Sequence, residues 1–483
     1  MIKKITKEYT MIKSFFSITV CFLLCTHISF SQTPVPEKKK DTIKQQSGIN
    51  LDMLDGDMFD TGTEEITVVK NSTDEVETKK SFWKEYVFSP SRLGISYEFT
   101  YNFTDPTEVI KNRFAFRLEY SKFLFNNLFV QLDTKSFVFM DGDSRSRELI
   151  YFNNDDLEKA NVGFGSITRN AFLQYSYKQS SIKVGIQTLA WGESDFAAVT
   201  DEINPFDYRD PLNLNIDELR LGQFMVGLNF YTSIGNFNTF FVPNARFNLF
   251  PKEGTRFFQD PFAGTDIVTQ EVDNGKNSIE YGFRWKKAFE KSDVSLIVTS
   301  LIDNNLAQEQ VNPNLVLLRE KRFTTVGMSF NYAIGNLLIR GENAIKFPRT
   351  YNTASLELIE RNAFDTSLGF EYGLNSTTTF TLELVNNHII DWTEDIVGFP
   401  RNNFTAFFVV VKELMKNNLS LNYITMYNGP DTTFFNLLSG AYKLNDNMTI
   451  SLDAIIPITN DEQSAFYQFR DQQHLAFKMQ FLF

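Results

Sequence analysis

From Ser91 onward, apolar and polar positions alternate in short runs. In NRFAFRLEY, Phe114, Phe116, Leu118 and Tyr120 fall on one side of an extended chain, opposite Arg113, Ala115, Arg117, Glu119 and Ser121. SIEYGFRWK repeats this, with Ile279, Tyr281, Phe283 and Trp285 opposed to Glu280, Gly282, Arg284 and Lys286. DTSLGFEY does so again, with Leu368, Phe370 and Tyr372 against Ser367, Gly369 and Glu371. The sequence closes on HLAFKMQFLF, where Leu475, Phe477, Met479, Phe481 and Phe483 share a face. A period of two predicts strands with one greasy side.

A soluble β-sandwich also alternates, so the connections have to separate water from lipid. Short turns at 125–127, 178–181, 233–236, 333–336, 374–376, 416–418 and 444–446 take turns with longer polar stretches. The long set covers roughly 141–166, 193–221, 247–276, 304–320, 348–363, 389–401 and 458–470. Short turns on one rim and long loops on the other are the pattern of an outer-membrane barrel. The predicted strands are 91–103, 112–125, 128–140, 167–177, 182–192, 222–232, 237–246, 277–288, 292–303, 321–332, 336–346, 364–373, 377–388, 402–414, 419–428, 432–443, 447–457 and 471–483. The expected fold is all-β, a transmembrane antiparallel β-barrel of 16–18 strands spanning residues 83–483. Each strand is long enough to cross a hydrocarbon core at a tilt, and pairing the last with the first leaves no open edge. Outer-membrane lipid is then the partner of the apolar face. Phe481 and the final Phe483 resemble the C-terminal signal that delivers such barrels to their assembly machinery.

The N-terminal stretch reads differently. Residues 1–31 carry Lys3, Lys4, Lys7 and Lys13, then an apolar run from Phe15 to Leu24, then small residues at Ser29 and Ser31. That is the layout of a secretory signal peptide. Residues 32–82 are rich in Lys, Glu, Asp, Thr and Gln, and are expected to form a disordered periplasmic extension that cannot bury enough apolar surface to fold alone.

Composition narrows the chemistry. Cys21 and Cys25 are the only cysteines, so the chain past the signal has no thiolate nucleophile, thiolate metal site or disulfide. The net charge is −12; losing four lysines and one glutamate with the signal leaves −15, which argues against nucleic acid as a partner. Only His388 and His474 remain beyond the signal, and no GxSxG elbow or glycine-rich phosphate loop is visible, so neither an enzyme nor a cofactor is expected. Phenylalanine, 50 of 483 residues, is read as lipid-facing surface and interfacial girdle. The predicted inward face mixes Glu119, Glu280, Glu371 and Glu383 with Arg113, Arg117, Arg284, Lys286 and Arg340, which makes the lumen wet and bipolar.

One stretch stands apart, GIQTLAWGESDFAAVTDEINPFDYRDPLNLNIDELRLGQ, residues 185–223. It is expected to leave its strand at Trp191 and Gly192 and to carry Glu193, Asp195, Asp201, Asp207 and Arg209 around a turn at Asn204 and Pro205. As an ordinary acidic extracellular loop it would only decorate the mouth. Folded inward it would narrow the mouth or hold a divalent cation, although its acids lack EF-hand spacing.

WGESD followed by DEINPFDYRD resembles a segment of a porin-like family of outer-membrane barrels of unassigned function, often encoded beside RND-superfamily exporters; the Bacteroidota-type signal ending and the long polar extension of this sequence depart from that family. The resemblance in specific motif covers Gln187 to Asp210. The strand number, which normally leaves an aqueous lumen, points to a porin-like channel for passive or gated passage of small solutes; the alternative is a conduit for lipids or hydrophobic compounds working with an inner-membrane exporter. The resemblance carries no catalytic residues, and neither it nor the sequence fixes substrate or oligomeric state.

Overall fold

The computed structural model describes residues 84–483 apart from 105, 146–162, 197–198, 211–218, 254, 256, 259–267, 272–277, 460 and 463–466. The expected signal and periplasmic extension, 1–31 and 32–82, lie outside the described residues. In chain order the strands are β1 (Ser91–Asn102), β2 (Glu108–Phe125), β3 (Leu128–Phe139), β4 (Gly163–Tyr177), β5 (Ser180–Gln187), β6 (Gln223–Thr232), β7 (Gly235–Val242), β8 (Val268–Glu271), β9 (Glu280–Ala288), β10 (Ser292–Ile302), β11 (Ala307–Asn312), β12 (Leu315–Arg319), β13 (Arg322–Ile334), β14 (Leu337–Asn352), β15 (Leu358–Asn375), β16 (Thr378–Ile389), β17 (Asn402–Leu414), β18 (Leu419–Asn428), β19 (Thr433–Asn445), β20 (Met448–Ile458) and β21 (His474–Leu482).

Eighteen of these form one antiparallel sheet, and the sheet closes on itself. β21 pairs β20 on one side and β1 on the other, with Leu475↔Tyr101, Phe477↔Phe99 and Phe481↔Ile95 in register. Closure satisfies every strand's backbone inside the sheet, the condition for crossing a membrane with strands. The period-two reading holds face by face. Phe114, Phe116, Tyr281, Phe283, Leu368 and Tyr372 are exposed on the outside, while Arg113, Ala115, Glu119, Glu280, Ser367 and Glu371 are buried on the inside. Two-residue turns such as 126–127 and 178–179 sit on the rim where β1 begins and β21 ends, and the long connections rise from the other.

Two departures from the sequence reading matter. The fifth strand, expected to run to 192, stops at Gln187, because Thr188 onward turns into the barrel instead of continuing up the wall. The long connections also build structure of their own: β8, β11 and β12 form a separate three-stranded sheet with β12 parallel to β8. Strands of four to six residues in irregular loops show too little alternation to be read from sequence.

Most buried apolar residues lie inside the ring, while Val316, Leu356 and Val397 form a smaller cluster among the long connections. The largest cluster joins Phe196, Val199, Phe206 and Tyr208 from the β5–β6 connection to inward side chains of the wall, among them Ile110, Ala344, Val385, Phe407, Val409 and Met426.

Candidate functional site

The β5–β6 connection is the longest inward excursion, and its neck is held by amides. Asn204, fully buried, accepts the Leu189 N–H at 2.7 Å and donates to the Gln187 carbonyl at 3.1 Å and the Leu221 carbonyl at 2.9 Å. One side chain thus joins the outgoing and returning strands, a satisfied buried polar group that fixes the loop's base. Gln223 donates to the Ile203 carbonyl at 2.6 Å, and Asn248 accepts the Phe206 N–H at 2.7 Å. Arg220 pairs with Asp201 at 2.7 Å and lies over the Phe206 ring. Gly222 completes the return: a Cβ there would stand 2.2 Å from the Arg169 carbonyl oxygen, so only glycine lets the loop rejoin the wall this closely.

Beyond the neck the loop docks by its backbone. Glu342 on β14 accepts the N–H groups of Glu193, Ser194 and Thr200 at 2.5, 2.9 and 2.9 Å and the Thr200 hydroxyl at 2.9 Å. Glu383 on β16 accepts those of Asp195 and Phe196 at 3.0 and 3.3 Å. Ser194 and Ser367 share a hydrogen bond at 2.5 Å, and Phe196 stacks on Phe407 of β17 with centroids 5.2 Å apart. Side chains add ion pairs: Glu193 with Lys286 of β9 at 2.7 Å, Asp195 with Arg340 of β14, which also holds Glu371 of β15 at 2.5 Å, and Glu202 with Lys346 at 3.0 Å and Arg349 at 3.2 Å. Charge-assisted bonds of this kind are the strong ones.

The far end of the loop reaches the other side. Asp210 pairs with Arg113 at 3.2 Å and Lys111 at 3.3 Å, both on β2, while Asp207 binds Arg209 at 2.7 Å and faces Arg145 at 3.8 Å. β2 and β14 are nine strands apart either way round the eighteen-membered ring. A segment bound to both crosses the lumen.

The two ends differ electrostatically. Burial is the largest influence on the Asp195 carboxyl; Arg340 opposes it, Glu371 and Glu193 add to it, and the group is pushed up to about 6. Burial would also raise Asp210, but Lys111, Arg113 and Arg145 outweigh it and hold the carboxyl down at about 2.

The sequence-derived residues fall into three places. Trp191, Glu193, Asp195, Asp201, Asn204 and Asp207 are buried on the inward loop, and Arg209 lies beside them, half-buried. The six lumen charges face inward but do not form one cluster. Arg113 joins Asp143 and Asp210, and Arg117 joins Asp133 and Glu119. Glu280 accepts the Ile302 N–H; Arg284 bonds Asn238 beneath Trp191; Arg340 meets the loop. Phe481 and Phe483 lie at the β21–β1 seam, with Phe483 N–H donating to the Leu93 carbonyl at 2.8 Å. Glu342, the main anchor, escaped the sequence reading; its inward position on β14 was the only signal available. Among the described residues no group of three His, Cys, Asp or Glu side chains is placed to hold a metal ion.

A closed, eighteen-stranded antiparallel barrel with an apolar exterior is a transmembrane β-barrel of the outer-membrane type. Residues 133–418 match the family described as "Protein of unknown function (DUF1302)", and the chain belongs to it. No curated protein matches. Among solved structures it is similar to OccK8 (OprE) of Pseudomonas aeruginosa at 8% identity, covering 82% of this chain and 99% of that one with a TM-score of 0.49. It is likewise similar to OccAB2 of Acinetobacter baumannii at 10% identity, 82% and 98% covered, TM-score 0.47. The outer membrane protein OpdK of Pseudomonas aeruginosa aligns at 8% identity, 81% and 98% covered, TM-score 0.45.

Proposed function

We propose that this protein is a porin-like channel of the outer membrane, without enzymatic activity, whose passage for small solutes is narrowed by the β5–β6 loop. The observation that carries the reading is the loop anchored on opposite walls, to Arg113 and Lys111 on β2 and to Glu342 and Arg340 on β14. Barrels of this strand number enclose an aqueous lumen unless something fills it, and a loop held across the lumen sets the cross-section left over. The charged inner wall, with both signs represented, suits hydrated solutes.

Planar-bilayer conductance tests this. Deleting residues 193–218 should raise single-channel conductance severalfold while the barrel still shows heat-modifiable gel mobility, since β5 and β6 keep eight register pairs of their own. Equal conductance with and without the loop would reject the constriction. A partnership with an inner-membrane exporter would engage residues 32–82 from the periplasmic side; cross-linking from that segment in cells tests it separately. Delivery by the assembly machinery through Phe481 and Phe483 belongs to the same reading.

A further inference from the structure

The outside of the barrel meets lipid, and several of its polar side chains are satisfied within the wall itself. Thr134 and Thr168 share a hydrogen bond at 3.2 Å, Thr239 donates to the Gly282 carbonyl at 2.7 Å, and the Tyr423 hydroxyl donates to the Asn436 side chain at 2.9 Å. A row on β14–β16 differs. Asn343, Thr366 and Asn386 stand side by side in register on these three strands. Each points outward, because Glu342 and Ala344, Asp365 and Ser367, and Val385, their neighbours along the chain, are buried on the inside. None of the three side chains forms a hydrogen bond among the described residues.

Their setting is hydrocarbon. On the outward face of β14, Leu337 and Ile339 lie below Asn343, and the exposed Ile345 and Phe347 lie above it. Met328 and Phe404, both exposed, close the row at its two ends. Lipid tails offer an amide neither donor nor acceptor, so two amides and a hydroxyl left bare in this band are unfavourable. A protein surface that supplies the missing bonds removes that cost.

The order of the row identifies the surface. Asn, Thr, Asn reads the same in both directions, with an apolar residue beyond each end. An amide both donates and accepts, so the row is complementary to its own reverse. A two-fold axis along the membrane normal, passing beside Thr366, sets the row of one copy against the reversed row of the next, which is an isologous contact. A lipid phosphate would call for cations instead. No lysine or arginine occupies the row or the outward positions directly above it, Ile345, Phe364 and His388, and Glu360 farther up β15 adds a negative charge.

We infer that this row is the centre of a contact between two copies of the chain, side by side in the membrane. The contact lies directly behind the loop's docking site: Glu342, Ser367 and Val385, the inward residues next to Asn343, Thr366 and Asn386, all meet the loop. The partner copy therefore braces the stretch of wall that holds the loop. This goes beyond the channel reading and needs a lipid-facing exterior, not conduction.

Cysteine cross-linking in isolated outer membranes tests the contact cleanly, because Cys21 and Cys25 are the only cysteines and lie in the expected signal. With a short bis-maleimide, Thr366→Cys should link to itself and give severalfold more covalent dimer than Leu173→Cys, an exposed position on β4 eight strands away in the ring. Adding Asn343→Leu/Asn386→Leu to Thr366→Cys should reduce the yield to the Leu173→Cys level, with heat-modifiable gel mobility retained. Co-expressed, differently tagged Asn343→Cys and Asn386→Cys chains should link to each other more than either links to itself, a measurement that stands even if Thr366→Cys fails to assemble. Equal dimer yields from Thr366→Cys and Leu173→Cys would overturn the inference, as would a Thr366→Cys adduct whose mass shows a different protein. An undiminished yield in the double leucine variant, or preferential self-linking in the co-expressed pair, would equally reject a two-fold contact centred on this row.

Discussion

Asn204 shows how much one amide can determine. Its three hydrogen bonds cross the neck of the inward loop, and two of them satisfy carbonyls seventeen residues away on either side. Asn204→Ala removes all three and leaves buried backbone groups unpaired, at about 1–3 kcal/mol for each group that water cannot reach. The loop should then become accessible to limited proteolysis in the otherwise resistant barrel, with noisier single-channel currents; a variant as resistant and quiet as the wild type would show that the neck is held elsewhere. Asp195 supplies a pH dependence. Its carboxyl is pushed from 3.8 up to about 6 when docked, with Arg340, Glu371, Glu383 and Glu193 all facing it. The docked loop therefore binds that proton more tightly than a released loop does. The sign follows: docking is favoured as the pH falls from about 6 toward 4 and is weakened as it rises through that window. Open-channel noise should be lower at pH 5 than at pH 7, and Asp195→Asn should flatten the difference. An unaltered pH profile in that variant would assign the titration to another group. At this scale the sequence disclosed residue types but not partners: Asn204 reads only as a turn former, because its bonds depend on strands that the chain brings together later.

At the level of elements, β14 and β16 act on the loop through two carboxylates that bind mainly peptide N–H groups, with the Thr200 hydroxyl as the one side chain named. This arrangement makes the docking depend on the wall more than on the loop's own acids. Glu342→Ala would strand the N–H groups of Glu193, Ser194 and Thr200, and should undock that end of the loop, raising conductance toward that of the loop deletion. Glu342→Gln keeps one acceptor oxygen and should give a smaller rise. If both variants conduct like the wild type, the ion pairs to Arg340 and Lys286 suffice. The elements themselves were largely legible. All eighteen wall strands coincide with predicted ones, because lipid on one side and polar lumen on the other impose alternation on every residue. What escaped were places where that constraint lapses: the end of β5 at Gln187, where the chain abandons the wall, and the β8, β11, β12 sheet, which faces neither lipid nor lumen uniformly. The extensions of β14 to Asn352 and of β15 back to Leu358 were also missed, since past the membrane edge the outward face turns polar, as at Glu360 and Asn362.

For the whole molecule the question is whether an acidic chain makes an acidic pore. Composition suggests so, and a carboxylate-rich loop at the mouth would be expected to favour cations. The structure pairs those carboxylates instead: Glu193 with Lys286, Asp195 with Arg340, Asp201 with Arg220 and Asp207 with Arg209. The loop's field is thus that of neighbouring dipoles, which falls off faster than that of free charges. Neutralising Glu193, Asp195, Asp201 and Asp207 together would therefore do more than remove a cation preference. It would take one carboxylate away from each of four basic groups in the lumen and swing selectivity toward anions. The swing should be large in about 0.1 M KCl, where charges act over roughly 10 Å, and small at about 1 M, where screening reaches within roughly 3 Å. Removing both members of a pair, as in Glu193→Gln/Lys286→Gln, should leave selectivity near its starting value, because no net charge is exposed. Reversal potentials across a KCl gradient distinguish the outcomes: loss of cation preference without a swing toward anions would mean that the basic partners follow their carboxylates out of the pore.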